Sequence, residues 1–288
     1  MAVAYRSADV IGACLASVAR ARAVVVVDNA SDDGSAVAAR TALPSTIIVS
    51  NPVNQGFGRA NNRGAALAET EFVLFINPDA VLEAGALEAL VAAADRYPEA
   101  ALLAPAILTP EGERIATHNV GLFDQNRMGG KTRTLPEGDM CADFLSGALL
   151  LVRTQAFRAV GGFDPNIFLY YEDDDLCLRL RKAGFALVQV PAAAARHLGG
   201  QSSPPTPEVV QRKYWHMAWS RLYLEAKHRG AAAARTTALR NALSYGVKIA
   251  AHTVARHRDK ALRDRARLAG TLSYLRGRTA LAEAGILS

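Results

Sequence analysis

The stretch from Ala23 to Ser35, AVVVVDNASDDGS, contains the pattern that decides the fold. Its run of valines, Val24–Val27, is β-branched and favours a buried strand. Acids and turn-forming residues follow at once, among them Asp28 and Asp32. In open α/β sheets, ligands bind beyond the carboxyl ends of the strands, so this loop is a candidate site. The alternative is that residues 29–34 form only a well-capped turn.

The same order, an apolar run followed by polar turn residues, occurs twice more downstream. TIIVS at residues 46–50 precedes NPVNQGFG, and FVLFI at residues 72–76 precedes NPDAV. Segments of helical period lie between the apolar runs, and they predict helices over residues 8–19, 58–70 and 83–96. Strands that alternate with helices imply right-handed crossovers. The predicted fold class is therefore α/β, with a mostly parallel sheet flanked by helices.

The loops after these two strands contain further candidate residues. Gly56 lets backbone N–H groups approach a ligand, and the ring of Phe57 is suited to pack beside a base, although the same ring is equally suited to the core. After the third strand, Asn77 and Asp79 lie two residues apart in an extended loop. A divalent cation that also binds a diphosphate needs only one or two protein carboxylates, but a Pro-Asp turn is often only a turn.

Four consecutive acids, Glu172–Asp175, begin an amphipathic helix in YYEDDDLCLRLR. Acids are favoured at a helix start, but four together repel one another and need a cation, a proton or a ligand nearby. This repulsion predicts a raised proton affinity for at least one member. Asp175 and Arg179 are four residues apart, so we expect them to pair along the helix.

Composition and charge restrict the class of protein. Cysteines 14, 141 and 177 lie far apart, which argues against a disulfide framework or a thiolate zinc site and predicts a reducing compartment. No apolar run is long enough to predict a membrane span. Residues 1–207 have a net charge of −5, whereas residues 208–288 have +11. That basic tail, with stripes such as residues 254–270, predicts either a solvated helical face or a surface for anionic lipid; nucleic acid is not expected.

Six spaced motifs together resemble the family 2 glycosyltransferases of the GT-A fold. In chain order they are the three strand ends with their polar loops, LSGALLLVRTQAFRAVGGFD, YYEDDDLCLRLR and RHLGGQS, and they cover roughly residues 1–203. The NPD motif, in place of one with two acids, is similar to the subgroup that includes rhamnosyltransferases of bacterial surface polysaccharides. The resemblance predicts a GT-A catalytic domain at residues 1–205 and a basic helical region at residues 206–288.

The resemblance also implies an activity and a set of site residues. The expected reaction is inverting transfer of a sugar, with rhamnose as a candidate, from a dTDP- or UDP-sugar to a glycan or lipid-linked acceptor, with Mg²⁺ or Mn²⁺. Asp173 matches the general base, Asp79 and His197 match the metal site, and the acceptor-side or supporting residues are Ser146, Glu172 and Asp175. The donor-binding residues that it implies are Tyr5, Asp28, Asp32, Gly56, Phe57, Asn61 and Asn77.

The expected location is the cytoplasm, with peripheral contact at the inner membrane through the basic tail. Two alternatives belong to other classes of protein. A non-catalytic nucleotide-sugar-binding module would keep donor binding after Asp173→Asn. A nucleotidyltransferase on a similar sheet would need a basic glycine-rich phosphate loop near the N-terminus, and residues 1–10 contain no such loop.

Overall fold

A computed structural model describes residues 1–119, 135–198 and 206–285. The chain forms two compact units. The first comprises Met1–Asp164 and Glu172–Ser202, and the second comprises Pro165–Tyr171 and Ser203–Ser288. Residues 165–171 thus group with the helical unit, whereas the sequence placed them in the catalytic domain. The predicted boundary after residue 205 and the GGQS part of the His197 motif lie outside the described residues.

Within the described residues, strands and helices alternate up to residue 76 of the first unit, and helices dominate the second unit. The strands are β1 Ala2–Ala4, β2 Val25–Asp28, β3 Ile47–Ser50, β4 Phe72–Ile76, β5 Ala80–Leu82, β6 Ala100–Leu108, β7 Arg114–Ile115, β8 His118–Asn119, β9 Met140–Cys141, β10 Phe144–Leu145, β11 Leu149–Arg153 and β12 Ala186–His197. The helices are α1 Ile11–Ser17, α2 Ser35–Ala42, α3 Phe57–Ala65, α4 Ala86–Arg96, α5 Thr154–Ala159, α6 Glu172–Lys182, α7 Pro207–Arg229, α8 Ala231–Val254, α9 Arg258–Leu275 and α10 Ala280–Glu283.

The main sheet has the strand order β3-β2-β1-β4-β11-β6-β12-β5, with β7 and β9 added at its side. Strands β1 to β4 pair in parallel, as do β6 and β12. Strand β11 runs antiparallel to both of its neighbours, β4 and β6, and β5 runs antiparallel to β12. The predicted α/β class, with helices flanking the sheet and a helical C-terminal region, is confirmed.

Alternate residues of the central strands pack on opposite faces of the sheet, because successive side chains in a strand point in opposite directions. Leu103 and Leu151 belong to a core cluster with residues of α1, α2 and α4. Leu102 and Leu150 belong to a second cluster with residues of α5 and α6. Burial on both faces explains why these strands are continuous apolar runs rather than alternating patterns.

The second unit has its own small core. Trp215 and Trp219 of α7 pack with Phe168 and with Leu281 of α10. The indole N–H of Trp219 donates to the carbonyl of Arg278 at 2.8 Å. In the part of the chain that the structure describes, no helix is long and apolar enough to cross a membrane.

Candidate active site

The carboxyl ends of the parallel strands form one edge of the sheet, and the candidate residues lie along it. Asp28 is the last residue of β2, in register with Ala4 of β1, and Ala2 of β1 is in register with Ile76 at the end of β4. Asn77 therefore begins its loop at the same edge of the sheet as the turn that follows Asp28. Only β1 separates the two strands, so their backbones are about 10 Å apart.

The acid cluster is tied to this same edge by two hydrogen bonds. The N–H of Gly147 donates to Oδ2 of Asp173 at 2.8 Å. The next residue, Ala148, accepts a hydrogen bond from the N–H of Asn77 at 2.9 Å. This link exists because β11 begins antiparallel to the end of β4, with Leu149 opposite Ile76. Asp173 is thus connected, through Gly147 and Ala148, to the loop that contains Asp79.

Asp79 and His197 are 118 residues apart in sequence and form a direct contact. Nε2 of His197 lies 3.2 Å from Oδ1 of Asp79. The contact follows from the pairing of β5 with the end of β12, which sets His197 opposite Ala80. The carbonyl of Asp79 also accepts from the N–H of Leu198 at 3.1 Å. The carboxylate is 5% exposed and the imidazole 19%, so both retain some access to solvent.

Burial changes the acidity of the first two acids of α6. The pKa of Glu172 is raised well above its usual value, first by loss of water and then by the neighbouring negative charges of Asp173 and Asp174. Burial also raises the pKa of Asp173, against the hydrogen bonds donated by the backbone of Gly147 and Asp174. Oε2 of Glu172 is buried and has no hydrogen-bond partner among the described residues. The raised pKa values suit a group that takes a proton near neutral pH.

The predicted ion pair on α6 is confirmed. Nε of Arg179 lies 2.7 Å from Oδ2 of Asp175, whose side chain is fully buried. Another nitrogen of Arg179 donates to the carbonyl of Val160 at 2.6 Å. The pair of Asp175 and Arg179 therefore links α6 to the backbone at the end of α5.

A network of asparagines shapes the loop after β3. Oδ1 of Asn29 accepts from the side chain of Asn51 and from the N–H of Gln55, both at 2.9 Å. Its Nδ2 donates to Asn54 at 2.9 Å and to the carbonyl of Gly56 at 3.3 Å. Asn29 is buried, so these four bonds fix the loop that leads into α3 against the end of β2.

Comparison with known proteins identifies this arrangement of strands and acids. Residues 2–161 match the family model described as glycosyl transferase family 2. The chain belongs to this family. The glycosyltransferase is 33% identical over 234 residues to N-acetylglucosaminyl-diphospho-decaprenol L-rhamnosyltransferase of Mycobacterium tuberculosis, covering 72% of this chain and 76% of that protein. It is 29% identical over 192 residues to rhamnosyltransferase WbbL of Escherichia coli K12, covering 60% and 71%.

Solved structures agree with the fold of the glycosyltransferase. The mannosyltransferase PcManGT of Pyrobaculum calidifontis superposes with a TM-score of 0.59 at 15% identity, over 95% of this chain and 85% of the other. Residues 1–349 of TarS from S. aureus give a TM-score of 0.53 at 16% identity, over 96% and 90%. The prediction of a family 2 glycosyltransferase on a GT-A fold is confirmed.

The remaining residues that were predicted to bind the sugar donor differ in how exposed they are. Asp32 is exposed and forms a two-bond ion pair with Arg6, at 2.7 and 2.8 Å, and the same guanidinium lies 5.7 Å from the ring centre of Tyr5. The hydrogen bond and charge of Arg6 lower the pKa of Asp32. Phe57 packs edge-on to Phe163, with ring centres 6.0 Å apart, so the structure shows the core packing that the sequence left as an alternative.

Two predicted residues are engaged mainly with the backbone. Asn61 is buried, and its side-chain amide donates to the carbonyl of Phe57 at 3.1 Å inside α3. Ser146 donates its N–H to Thr117 at 3.1 Å, while the next residue, Gly147, is the one that touches Asp173. The roles of Tyr5, Asp28, Asp32 and these two residues in substrate binding stay predictions.

Sequence reasoning missed Gly147 and the asparagine network. A Cβ atom on Gly147 would lie 3.1 Å from both Cβ and Oδ2 of Asp173, which explains the glycine in SGA, but the motif alone does not identify the partner. Asn29 directly follows β2 and Asn51 directly follows β3, so an asparagine close to the end of an apolar run was an available signal.

Asp79 and His197 fit a divalent cation only if the substrate supplies the remaining ligands of that cation. One carboxylate and one imidazole nitrogen lie together, and Mn²⁺ or Mg²⁺ accepts both types of ligand. Among residues 1–119, 135–198 and 206–285 there is no group of three or more His, Cys, Asp or Glu side chains arranged to hold a metal. A diphosphate and water would have to supply most of the coordination.

Proposed function

We propose that this glycosyltransferase moves a sugar, with L-rhamnose as the first candidate, from a nucleoside diphosphate to a hydroxyl of a lipid-linked glycan, with inversion at the anomeric carbon. The observation that carries the proposal is the hydrogen-bonded connection from Asp173 through Gly147 and Ala148 to the Asn77–Asp79 loop. It puts a buried acid and the Asp79–His197 pair at one edge of the sheet.

Asp173 is the proposed general base. Inverting transfer requires that the acceptor hydroxyl lose a proton as its oxygen attacks the anomeric carbon. A carboxylate whose pKa is raised by burial holds such a proton well near neutral pH, and Asp173 has that property. The N–H of Gly147 donates a hydrogen bond to one carboxylate oxygen of Asp173, so the carboxylate is already oriented before the acceptor binds.

Asp79 and His197 are the proposed protein ligands of Mg²⁺ or Mn²⁺. When bound there with the donor, the cation would supply positive charge against the diphosphate leaving group. The glycosyltransferase itself contributes an Asp–His pair that the pairing of β5 with β12 brings together. The solved structure of PcManGT is a complex with GDP-Man and Mn²⁺, which supports the same class of donor and metal here.

The relatives support the sugar and the acceptor. The M. tuberculosis relative is named for transfer of L-rhamnose to N-acetylglucosaminyl-diphospho-decaprenol, and WbbL is named a rhamnosyltransferase. We therefore propose dTDP-rhamnose or a UDP-sugar as donor and a lipid-linked saccharide as acceptor, in the synthesis of a bacterial cell-surface polysaccharide. The proposed place of reaction is the cytoplasmic face of the inner membrane.

The test combines donor binding with transfer. Purified protein is incubated with dTDP-rhamnose, UDP-sugars and GDP-mannose, with Mn²⁺ or with chelator, and the melting temperature and the release of nucleoside diphosphate are measured. We expect one donor to raise the melting temperature only with the cation. Asp173→Asn should keep that shift and reduce transfer by about 10²-fold or more, because it removes the base. Asp79→Asn should lose the cation-dependent part of the shift.

Asp95→Asn is the matched control, since Asp95 is an exposed acid on α4, and it should behave as the parent protein. Transfer by Asp173→Asn at the parent rate would refute the role of the base. Donor binding without release of nucleoside diphosphate by the parent, with every acceptor offered, would favour the non-catalytic alternative.

A further inference from the structure

The outer face of α8 carries a stripe of exposed apolar side chains. Leu239, Leu243, Val247 and Val254 are between 57% and 86% exposed, and they are the large exposed apolar residues of the helical unit within the described chain. At 100° per residue, the four fall within an arc of about 80° on one side of the helix. The opposite side contains the small buried residues Ala234 and Ala238.

Cations lie on both sides of this stripe. Arg235 precedes it on one side and Arg240 follows it on the other, and Lys248 lies further round the helix. Helix α8 contains no Asp or Glu. The combination of an apolar stripe, basic flanks and no acid is typical of a helix that lies in the plane of a membrane interface.

A basic cavity lies at the turn between α8 and α9. It has a volume of about 570 Å³, and its lining includes Arg256, Arg258 and Arg265 together with the single acid Asp259. Arg256 has a left-handed backbone conformation, with φ of 57°, which directs the chain sharply from α8 into α9. Val254, the most exposed member of the stripe, is two residues before this turn. The cavity is suited to phosphate groups, which arginine binds well.

The structure also shows which part of residues 254–270, the segment that the sequence offered as a lipid-facing stripe, is covered. Residues 258–270 lie in α9, and their small residues Ala261, Ala266 and Gly270 are buried. A Cβ atom on Gly270 would clash with the carbonyl oxygen of Trp215, so α9 packs closely on α7. The apolar surface left for an external partner is therefore on α8.

We propose that α8 docks the protein on a bilayer that is rich in anionic phospholipid, with the apolar stripe inserted among the acyl chains and the α8–α9 cavity holding headgroup phosphate. Charge decides the occupant: residues 208–288 have a net charge of +11, and the stripe is bordered by cations. Docking on a membrane would bring the active site to the lipid-linked acceptor, so this inference rests on the proposed function. Vesicle binding is measured without substrates, so the docking surface and the proposed reaction can fail separately.

The experiment is co-sedimentation of the full chain with vesicles of phosphatidylcholine alone or with phosphatidylglycerol added. We expect binding only to the anionic vesicles, lost when salt is raised from about 50 mM to about 500 mM. Leu243→Ser with Val247→Ser should weaken binding at least about tenfold, because two inserted side chains are lost. Arg235→Glu with Arg240→Glu should weaken it by about tenfold or more.

Matched controls come from the first unit. Val37→Ser with Leu67→Ser removes two other apolar residues that are more than half exposed, and Arg22→Glu with Arg40→Glu makes the same change of charge. We expect both to bind as the parent does. Equal binding to neutral and anionic vesicles, or parent-like binding by the α8 variants, would overturn the proposal. So would a concentration-dependent dimer that only the Leu243→Ser and Val247→Ser variant abolishes, since a second copy would then cover the stripe.

Discussion

The contact between Gly147 and Asp173 gives a sharp test of the site, because the change is one methyl group. In Gly147→Ala the new Cβ atom would lie 3.1 Å from Cβ and Oδ2 of Asp173 and 3.4 Å from its Cγ. Ordinary contacts of this kind are longer, so the carboxylate must shift by a few tenths of an ångström. That shift lengthens the 2.8 Å hydrogen bond from the N–H of Gly147, the bond that favours the ionised form.

The size of the effect follows from that hydrogen bond. A hydrogen bond to a charged group contributes about 1.5–3 kcal/mol, and losing roughly half of it disfavours the ionised carboxylate by up to about tenfold, which raises the pKa of Asp173 further. Burial already raises this pKa, so the two effects add in the same direction. As the base becomes protonated over a wider range, the acid side of the pH–rate profile moves to higher pH. Transfer should fall about tenfold below the new pKa and recover as the pH rises.

The assay is the pH dependence of kcat/KM for Gly147→Ala against Gly138→Ala. A Cβ atom on Gly138 meets no atom within 4 Å, so this control changes the same residue type without a contact. Melting temperature is measured alongside, and we expect it to change little in either variant. A profile for Gly147→Ala that overlays the parent profile would refute the assignment of Asp173 as the group that controls the acid limb.

Other changes test the supports of the site. Glu172→Gln should melt at the parent temperature near pH 4 and above the parent temperature at about pH 8. The carboxyl of Glu172 has a raised pKa in the folded state, so its contribution to stability is present while it is protonated and is lost as the pH rises through that pKa. The glutamine amide does not ionise and avoids this loss. An unchanged difference between the two pH values would contradict this. Asp175→Asn should cost about 3–5 kcal/mol in urea unfolding, because it leaves the charge of Arg179 unpaired. Asn29→Ala should cost about 2–4 kcal/mol and weaken donor binding, since four hydrogen bonds to residues 51–56 are lost; Asp95→Asn should match the parent in both measurements.

Local patterns in the sequence predicted much of the fold. The apolar runs at residues 46–50 and 72–76 became β3 and β4, and the three predicted helices became α1, α3 and α4 with shorter bounds. Helix α2 was missed, because Ser35–Ala42 is rich in small residues and has only a weak periodicity. Strands β6 and β11 were not assigned. A buried strand without alternation has no period to detect, and β11 in particular runs antiparallel between parallel neighbours.

In the site too, the positions of the residues could be predicted from the local sequence, whereas the contacts between them could not. The sequence identified each site residue by its position near the end of a strand or at the start of a helix, because such positions depend only on nearby residues. Their contacts depend on strand pairing between distant segments: β5 with β12 unites Asp79 with His197, and β4 with β11 brings Asn77 beside the backbone that binds Asp173. A one-residue slip of β5 against β12 would turn one of the two side chains to the other face of the sheet. The register of the strands, which no single motif encodes, therefore determines whether these acids form one site.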